Sequence, residues 1–232
     1  MLIADSVALE GRHATLLEPT SLKAAQGSVL IVAAPTQDTR TALSLILTGR
    51  MKPDAGTVAW EGTPDRRTLR RASTLVDSPA INEPEQHLRV RDLVAEDLAL
   101  LPGPFWRHRS SDAWLDAHGL EHLAREWVDA VEPVTRLRLL AALGLEDARS
   151  RLLVFDSPER HGLSGDAWAT VLRDIAGGRR HPAVVAVASR IPADWTGATA
   201  AAGGDHLPRG TSPDGETPWE ADPLPTTSEV HA

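Results

Sequence analysis

The chain contains no cysteine and no tyrosine, and its only lysines are Lys23 and Lys52. Without cysteine there are no disulfides, no thiolate metal sites and no cysteine nucleophile, which suits a reducing compartment such as the cytoplasm. Long hydrophobic runs are missing too. The longest, residues 29–35 and Ala183–Ala188, fall far short of the ~20 apolar residues that span a bilayer, so membrane association is expected only through a partner. The first residues do not pair a charged segment with an apolar one, and no secretory signal is expected. The formal net charge is −8, which argues against nucleic acid as the main partner, because phosphate binding needs clustered Lys and Arg. One local exception, Arg66, Arg67, Arg70 and Arg71, reads as a solvated helix face ahead of an anion site.

What is present suffices for a core: 42% of the 232 residues are hydrophobic. Residues 2–9 and 14–22 read as short strands. Residues 28–34 form a continuous apolar run of the kind expected of a strand buried on both faces. A polar loop over 35–39 leads into a helix over 41–49, stopped at Gly49. Strands are expected at 56–61, 72–76, 151–155 and Ala183–Ala188. Between 88 and 145 the apolar spacing is helical, with breaks at Pro102-Gly103-Pro104 and near Gly119. A helix over 166–176 ends at Gly177-Gly178. Buried strands with crossover helices predict an α/β core with a mainly parallel sheet. The expected organisation is one domain over 1–202, with a helical subdomain at about 82–145, and a disordered tail over 203–232.

Several landmarks carry a specific pattern. The first is Gly49-Arg50-Met51-Lys52-Pro53-Asp54-Ala55-Gly56-Thr57-Val58. The second is Leu152-Leu153-Val154-Phe155-Asp156-Ser157-Pro158-Glu159, followed by Gly162-Leu163. The third is the helical block with Gly119-Leu120 and Leu123-Ala124. In order and spacing across roughly residues 2–190, the chain resembles the ATP-binding subunit of an ABC transporter. The resemblance implies a P-loop NTPase-like core and, as cofactors, ATP and magnesium. It implies as partners a membrane permease subunit and a second copy or another ABC ATPase subunit. The expected location is the cytoplasm, peripheral on the inner face of the cell membrane.

The resemblance also places the family's working groups, and most are replaced. The phosphate loop falls on Ala34, Pro35, Thr36, Gln37, Asp38, Thr39, Arg40, Thr41 and Ala42. Such a loop needs glycines, so that N–H groups wrap the phosphates, and a lysine to reach the outer ones. Here Ala34 and Thr39 replace glycines, Arg40 replaces the lysine, and Asp38 sets a negative charge where a polyphosphate would lie. A Thr39 forced to a glycine's positive φ would cost ~1–2 kcal/mol, so a differently shaped loop is expected. Thr41 matches the hydroxyl that contacts magnesium, and Asp156 and Asp77 match the other metal-associated positions. Ser157 occupies the general-base position and is no base at neutral pH. Ser189 occupies the switch-histidine position. Asp129-Ala130-Val131-Glu132-Pro133 stands where a glycine-rich signature belongs, and Arg136 matches a common arginine of the following helix.

Other chemistries are weaker. His118 and His122 share a helical spacing, but Gly119 intervenes and no third ligand follows. Ser157 and Ser164 lack a glycine-framed nucleophile elbow. His13 reads as a surface residue ahead of an adenine contact, and Trp114 and Trp127 as packing residues. The leading expectation is therefore a transporter-associated cassette subunit with weak or lost hydrolysis. The alternatives are an active ATPase that has rebuilt its site around Arg40, Thr41 and Asp156, and a soluble regulatory or binding module that kept the fold.

Overall fold

The computed structural model describes residues 1–85, 87–103, 109–162 and 167–204. Strands β1 (Leu2–Glu10), β2 (Thr15–Ala24) and β4 (Ala55–Trp60) form an antiparallel sheet in the order β2-β1-β4. A second sheet is parallel throughout, in the order β5-β6-β7-β3-β8. Its strands are β3 (Val29–Ala33), β5 (Ser73–Val76), β6 (Leu152–Asp156), β7 (Ala183–Ala188) and β8 (Ala198–Ala201). The α/β class with a mainly parallel sheet is as expected.

The inner strands show why their sequences do not alternate. Ile31, Leu153, Phe155, Val184 and Ala186 pack on one face against the helical block. Leu30, Val32, Leu152, Val154, Val185 and Val187 pack on the other, against helix α1 (Gln37–Leu47), helix α2 (Arg66–Ala72) and the antiparallel sheet. Both faces are dry, so every position is apolar. The helical block consists of α3 (Val90–Ala99), α4 (Ser111–Ala117) and α5 (Pro133–Gly144). Helix α6 (Ala167–Gly177) covers the same side of the sheet.

Three boundaries differ from the expectation. Helix α1 begins at Gln37 and not at Thr41, because Thr36 caps it: its Oγ1 accepts the Thr39 N–H at 3.1 Å. Thr39 therefore has helical backbone and carries no positive-φ strain. Helix α2 takes Ala72, so β5 starts at Ser73, and the four arginines of this stretch lie exposed on α2. Strand β8 was not expected at all. Gly203 and Gly204, expected in the tail, are tied to β2: Gly203 donates to Thr20 Oγ1 at 2.8 Å and the Gly204 carbonyl accepts from Ser21 N at 2.9 Å. Residues 205–232, Leu163, Ser164 and Asp166 lie outside the described residues.

The phrase from Gly49 to Val58 has a structural account. Gly49, at φ 66°, follows the C-cap Thr48, and its N–H reaches Ile46 O while Arg50 N reaches Leu45 O. This is a Schellman closure of α1. A Cβ on Gly49 would sit 2.9 Å from the Arg66 carbonyl oxygen. Asp54 Oδ2 then accepts from Glu10 N at 2.9 Å, tying the turn to β1. Gly56 lies against the bulge of β1, where a Cβ would meet Ser6 O at 2.3 Å. Gly49→Ala combines left-handed strain of ~1–2 kcal/mol with that contact. We expect it to lower the thermal midpoint by at least about 4 °C in a calorimetric melt.

Candidate functional site

The loops that follow β3, β5, β6 and β7 gather at the carboxyl edge of the parallel sheet, where open α/β folds place their ligands. Two of the predicted site residues meet there. Thr41 Oγ1 donates to Asp156 Oδ2 at 2.7 Å. Asp156 is 1% exposed, and its carboxylate is the hub of a closed network. Ser78 Oγ also donates to Oδ2 at 2.7 Å, while Gln37 Nε2 reaches Oδ1 at 3.0 Å and Ser157 Oγ lies 2.9 Å from it. A carboxylate has about four acceptor positions, and four neighbours claim them.

Gln37 holds a role that the sequence did not signal. Its amide N–H₂ bridges Thr41 Oγ1 and Asp156 Oδ1, both at 3.0 Å. That places a donor group between two oxygens that a cation would otherwise share. Its carbonyl oxygen accepts from Arg40 Nη2 at 3.0 Å and lies 3.0 Å from Ser157 Oγ. Arg40 turns back onto its own loop. Its Nη1 donates to the Ala34 and Pro35 carbonyls at 3.0 and 3.2 Å, and its Nε to Ser157 Oγ at 2.8 Å. Asp38 stands in the first turn of α1, so the helix end that could attract an anion already carries one.

Magnesium takes oxygen ligands in near-octahedral geometry at about 2.0–2.1 Å. Here the Thr41 proton is given to Asp156 and its oxygen accepts from Gln37. A triphosphate needs N–H groups facing an open cradle, and here the Arg40 guanidinium is bonded to the Ala34 and Pro35 carbonyls of the loop itself. As arranged, these residues fit neither magnesium nor a triphosphate.

The remaining positions lie elsewhere. Asp77 is not directed to Thr41 and Asp156. Its carboxylate, on a residue at φ 56°, is held by Arg160 at 2.7 Å, His161 at 2.5 Å and Arg136 at 3.7 Å. Burial pushes the Asp77 carboxyl up, but the His161 hydrogen bond and the charges of Arg160, His161 and Arg136 more than reverse this and hold it below the usual carboxylate range. Ser157 adopts a left-handed backbone at φ 56° as β6 ends. Ser189 is exposed, and its N–H donates to Glu159 Oε1 at 2.7 Å. Asp129 and Ala130 lie in a short 3₁₀ turn, and Glu132 caps α5 by accepting from Val134 N and Thr135 N at 2.9 and 2.8 Å. The segment at the signature position thus builds an ordinary helix start. His13 is exposed in the β1–β2 turn. His118 stacks on the buried Trp114 at 3.8 Å, and no metal-binding group of His, Asp or Glu occurs among the described residues.

Beside Asp77, a cavity of 440 Å³ lies between β5 and helices α3 and α5. Asp97 lines it, and burial, with Glu96 beside it, pushes its carboxyl up to about 6.

Two pH effects of opposite sign follow. The lowered Asp77 adds stability that is complete above the ordinary carboxylate value of about 3.9 and is lost as pH falls through its lower folded value. The raised Asp97 binds its proton more tightly in the folded state. It therefore costs stability as pH rises from about 4 to 6, and the cost persists above. At pH 7.5, Asp77→Asn is expected to lose about 3 kcal/mol by stranding its cations. Asp97→Asn is expected to gain about 2–4 °C in thermal midpoint and to gain nothing at pH 4. Melts of both variants at the two pH values check this.

No family model matches the chain, and no curated protein matches it in sequence. Solved structures do match in shape. A proposed ABC transporter ATP-binding protein from Pyrococcus furiosus superposes with a TM-score of 0.62 at 16% identity, over 87% of this chain and 96% of that one. The cbiO1 protein from Clostridium perfringens, part of the ABC transporter complex cbiONQ, gives 0.60 at 16% identity, over 82% and 78%. A dimeric bacterial ABC transporter cassette, MJ0796, gives 0.59 at 14% identity, over 82% and 88%. The chain has the fold of an ABC transporter ATP-binding cassette.

Proposed function

We propose that the chain is a cassette-fold subunit that contributes shape to a transporter assembly and binds and hydrolyses ATP weakly or not at all. One observation carries the reading: the groups at the phosphate-loop and metal positions, Gln37, Arg40, Thr41, Asp156 and Ser157, satisfy one another. Hydrolysis further needs a base to activate water, and Ser157 is none at neutral pH. Loss of a single preorganised charge-stabilising donor commonly costs ~3 kcal/mol in a barrier, and here the donors point inward together. Magnesium and ATP, implied by the likeness, are on this reading not resident cofactors.

The partner is a membrane permease, met at the cavity between β5 and the helical block, or a second cassette subunit. Two of the similar structures come from such settings: one belongs to a transporter complex and one is dimeric. No helix among the described residues is long and apolar enough to cross a membrane, so a membrane position comes through the partner. We place the chain in the cytoplasm, on the inner face of the cell membrane.

Two measurements test this. Purified protein with magnesium is expected to release phosphate from ATP no faster than buffer. Turnover at ordinary enzyme rates of about 1 per second or more, abolished by Arg40→Ala, removes the no-catalysis reading. The Asp156→Ala variant leaves the Thr41, Ser78 and Gln37 donors without their acceptor. It is expected to lose at least about 2 kcal/mol of stability with no change in that background rate. For the partner, tagged protein recovered from solubilised membranes is expected to retain an integral membrane protein, and recovery only as a soluble monomer contradicts the docking role.

A further inference from the structure

One face of the molecule concentrates cations. Helix α2 carries Arg66, Arg67, Arg70 and Arg71 at the spacing i, i+1, i+4 and i+5, which sets them on the half of the helix away from the buried Leu69 and Ala72. All four are exposed. The turn after α1 extends this stripe. Arg66 Nη2 donates to the Gly49 carbonyl at 3.4 Å, which holds α2 against that turn. Arg50 lines the cavity beside β5 together with Arg70 and Arg71, and Lys52 lines a smaller one together with Arg66. None of these six cations makes an ion pair among the described residues. Neighbouring acids are mostly engaged: Asp65 caps α2 by accepting from Thr68 N at 2.8 Å, and Asp54 accepts from Glu10 N at 2.9 Å. On the cavity wall, Asp147 is taken by Arg149 and Asp77 by Arg136, Arg160 and His161, which leaves Asp97.

The six carry +6 and all other residues sum to −14, which together make the −8 of the chain. An extended anionic surface therefore attracts this face and repels the chain as a whole, which favours one orientation. The patch also has an apolar margin. Leu100, 82% exposed, lines the same cavity as Arg50, Arg70 and Arg71. An exposed leucine beside cations gains from the boundary between lipid headgroups and acyl chains, and gains nothing from a phosphodiester backbone. Neither cavity has an aromatic side chain among its described lining residues on which a base could stack. We propose that this face is a contact surface for anionic phospholipid headgroups, with Arg66, Arg67, Arg70 and Arg71 against the lipid phosphates and Arg50 and Lys52 at its edge. The inference goes beyond permease docking and needs lipid alone, so its failure leaves that reading standing. The cations rim the cavity assigned to the permease, and the same face turns to the membrane in both.

The physics of such a contact is known. The cytoplasmic leaflet has a negative surface potential, and each basic residue held near it is worth about fivefold in partitioning. Guanidinium forks suit phosphate oxygens, which they bond in pairs. The attraction reaches about 10 Å at 0.1 M salt and about 3 Å at 1 M. Such residues make a reversible contact, one that turns the chain toward the leaflet without anchoring it.

Sedimentation of the full-length chain with lipid vesicles tests this. At low salt, phosphatidylcholine vesicles containing about one third phosphatidylglycerol are expected to carry the protein down. Vesicles of phosphatidylcholine alone are expected to leave it in solution, and about 1 M salt to release it from the anionic ones. Arg70→Ala with Arg71→Ala, and separately Arg66→Ala with Arg67→Ala, are each expected to weaken binding to anionic vesicles at least about tenfold. Arg12→Ala with Lys23→Ala removes the same charge from exposed positions in the β1–β2 turn and on β2, and is expected to leave binding unchanged. No binding to either vesicle, equal binding to both, equal losses for the patch and control pairs, or tighter binding to a short DNA duplex than to anionic vesicles would each overturn the proposal.

Discussion

The arrangement at the sheet's carboxyl edge depends on one buried carboxylate. Asp156 ends β6 with 1% of its surface exposed. An isolated carboxylate is very costly to bury, and this one is accommodated because Gln37, Thr41, Ser78 and Ser157 surround it. Gln37 and Thr41 belong to α1, Ser78 to the loop after β5, and Ser157 to the turn after β6. The carboxylate therefore fastens three separate segments in one place. In a nucleotide site that task would fall to a metal ion and a polyphosphate. Here the Gln37 amide of α1 bonds Asp156 directly, and the Arg40 guanidinium of the same helix bonds Ser157 Oγ and the Ala34 and Pro35 carbonyls.

A second buried carboxylate does similar work in the neighbouring loop. Asp77 draws Arg136 from α5 and Arg160 and His161 from the turn after β6. The helical block and the parallel sheet are thereby joined by charge as well as by the apolar packing of Leu137, Phe155 and Trp168. The apolar core thus lies beneath a carboxyl edge whose polar side chains bond one another.

Much of this was legible in the sequence. The uninterrupted apolar runs marked β3, β6 and β7 because two dry faces leave no polar positions, and Gly49 marked the end of α1. Thr41 and Asp156 were both assigned to magnesium positions by resemblance, and the structure places their side chains 2.7 Å apart in a direct hydrogen bond. Other features depended on contacts between distant segments of the chain. The early start of α1 rests on the Thr36 hydroxyl, a choice that a polar loop of Pro, Thr, Gln and Asp does not reveal. Strand β8, Ala-Thr-Ala-Ala, has no β-branched or aromatic signature beyond one threonine and is defined by its pairing with β3. The bridging role of Gln37 spans 119 residues to Asp156, and nothing local announces it. Asp77 was expected beside the metal position; three cations nearby in space, from Arg136, Arg160 and His161, decide its direction instead.

The central claim is that this edge is complete without nucleotide, and ligand-induced stabilisation addresses it most directly. A ligand present at a hundredfold its dissociation constant stabilises the folded state by about 2.7 kcal/mol, which in a chain of this size raises the thermal midpoint by roughly 5–10 °C. The account predicts that millimolar magnesium-ATP leaves the midpoint where magnesium alone leaves it. A reproducible rise of several degrees that requires both magnesium and the triphosphate would contradict it, because the network around Asp156 would then have opened to admit them.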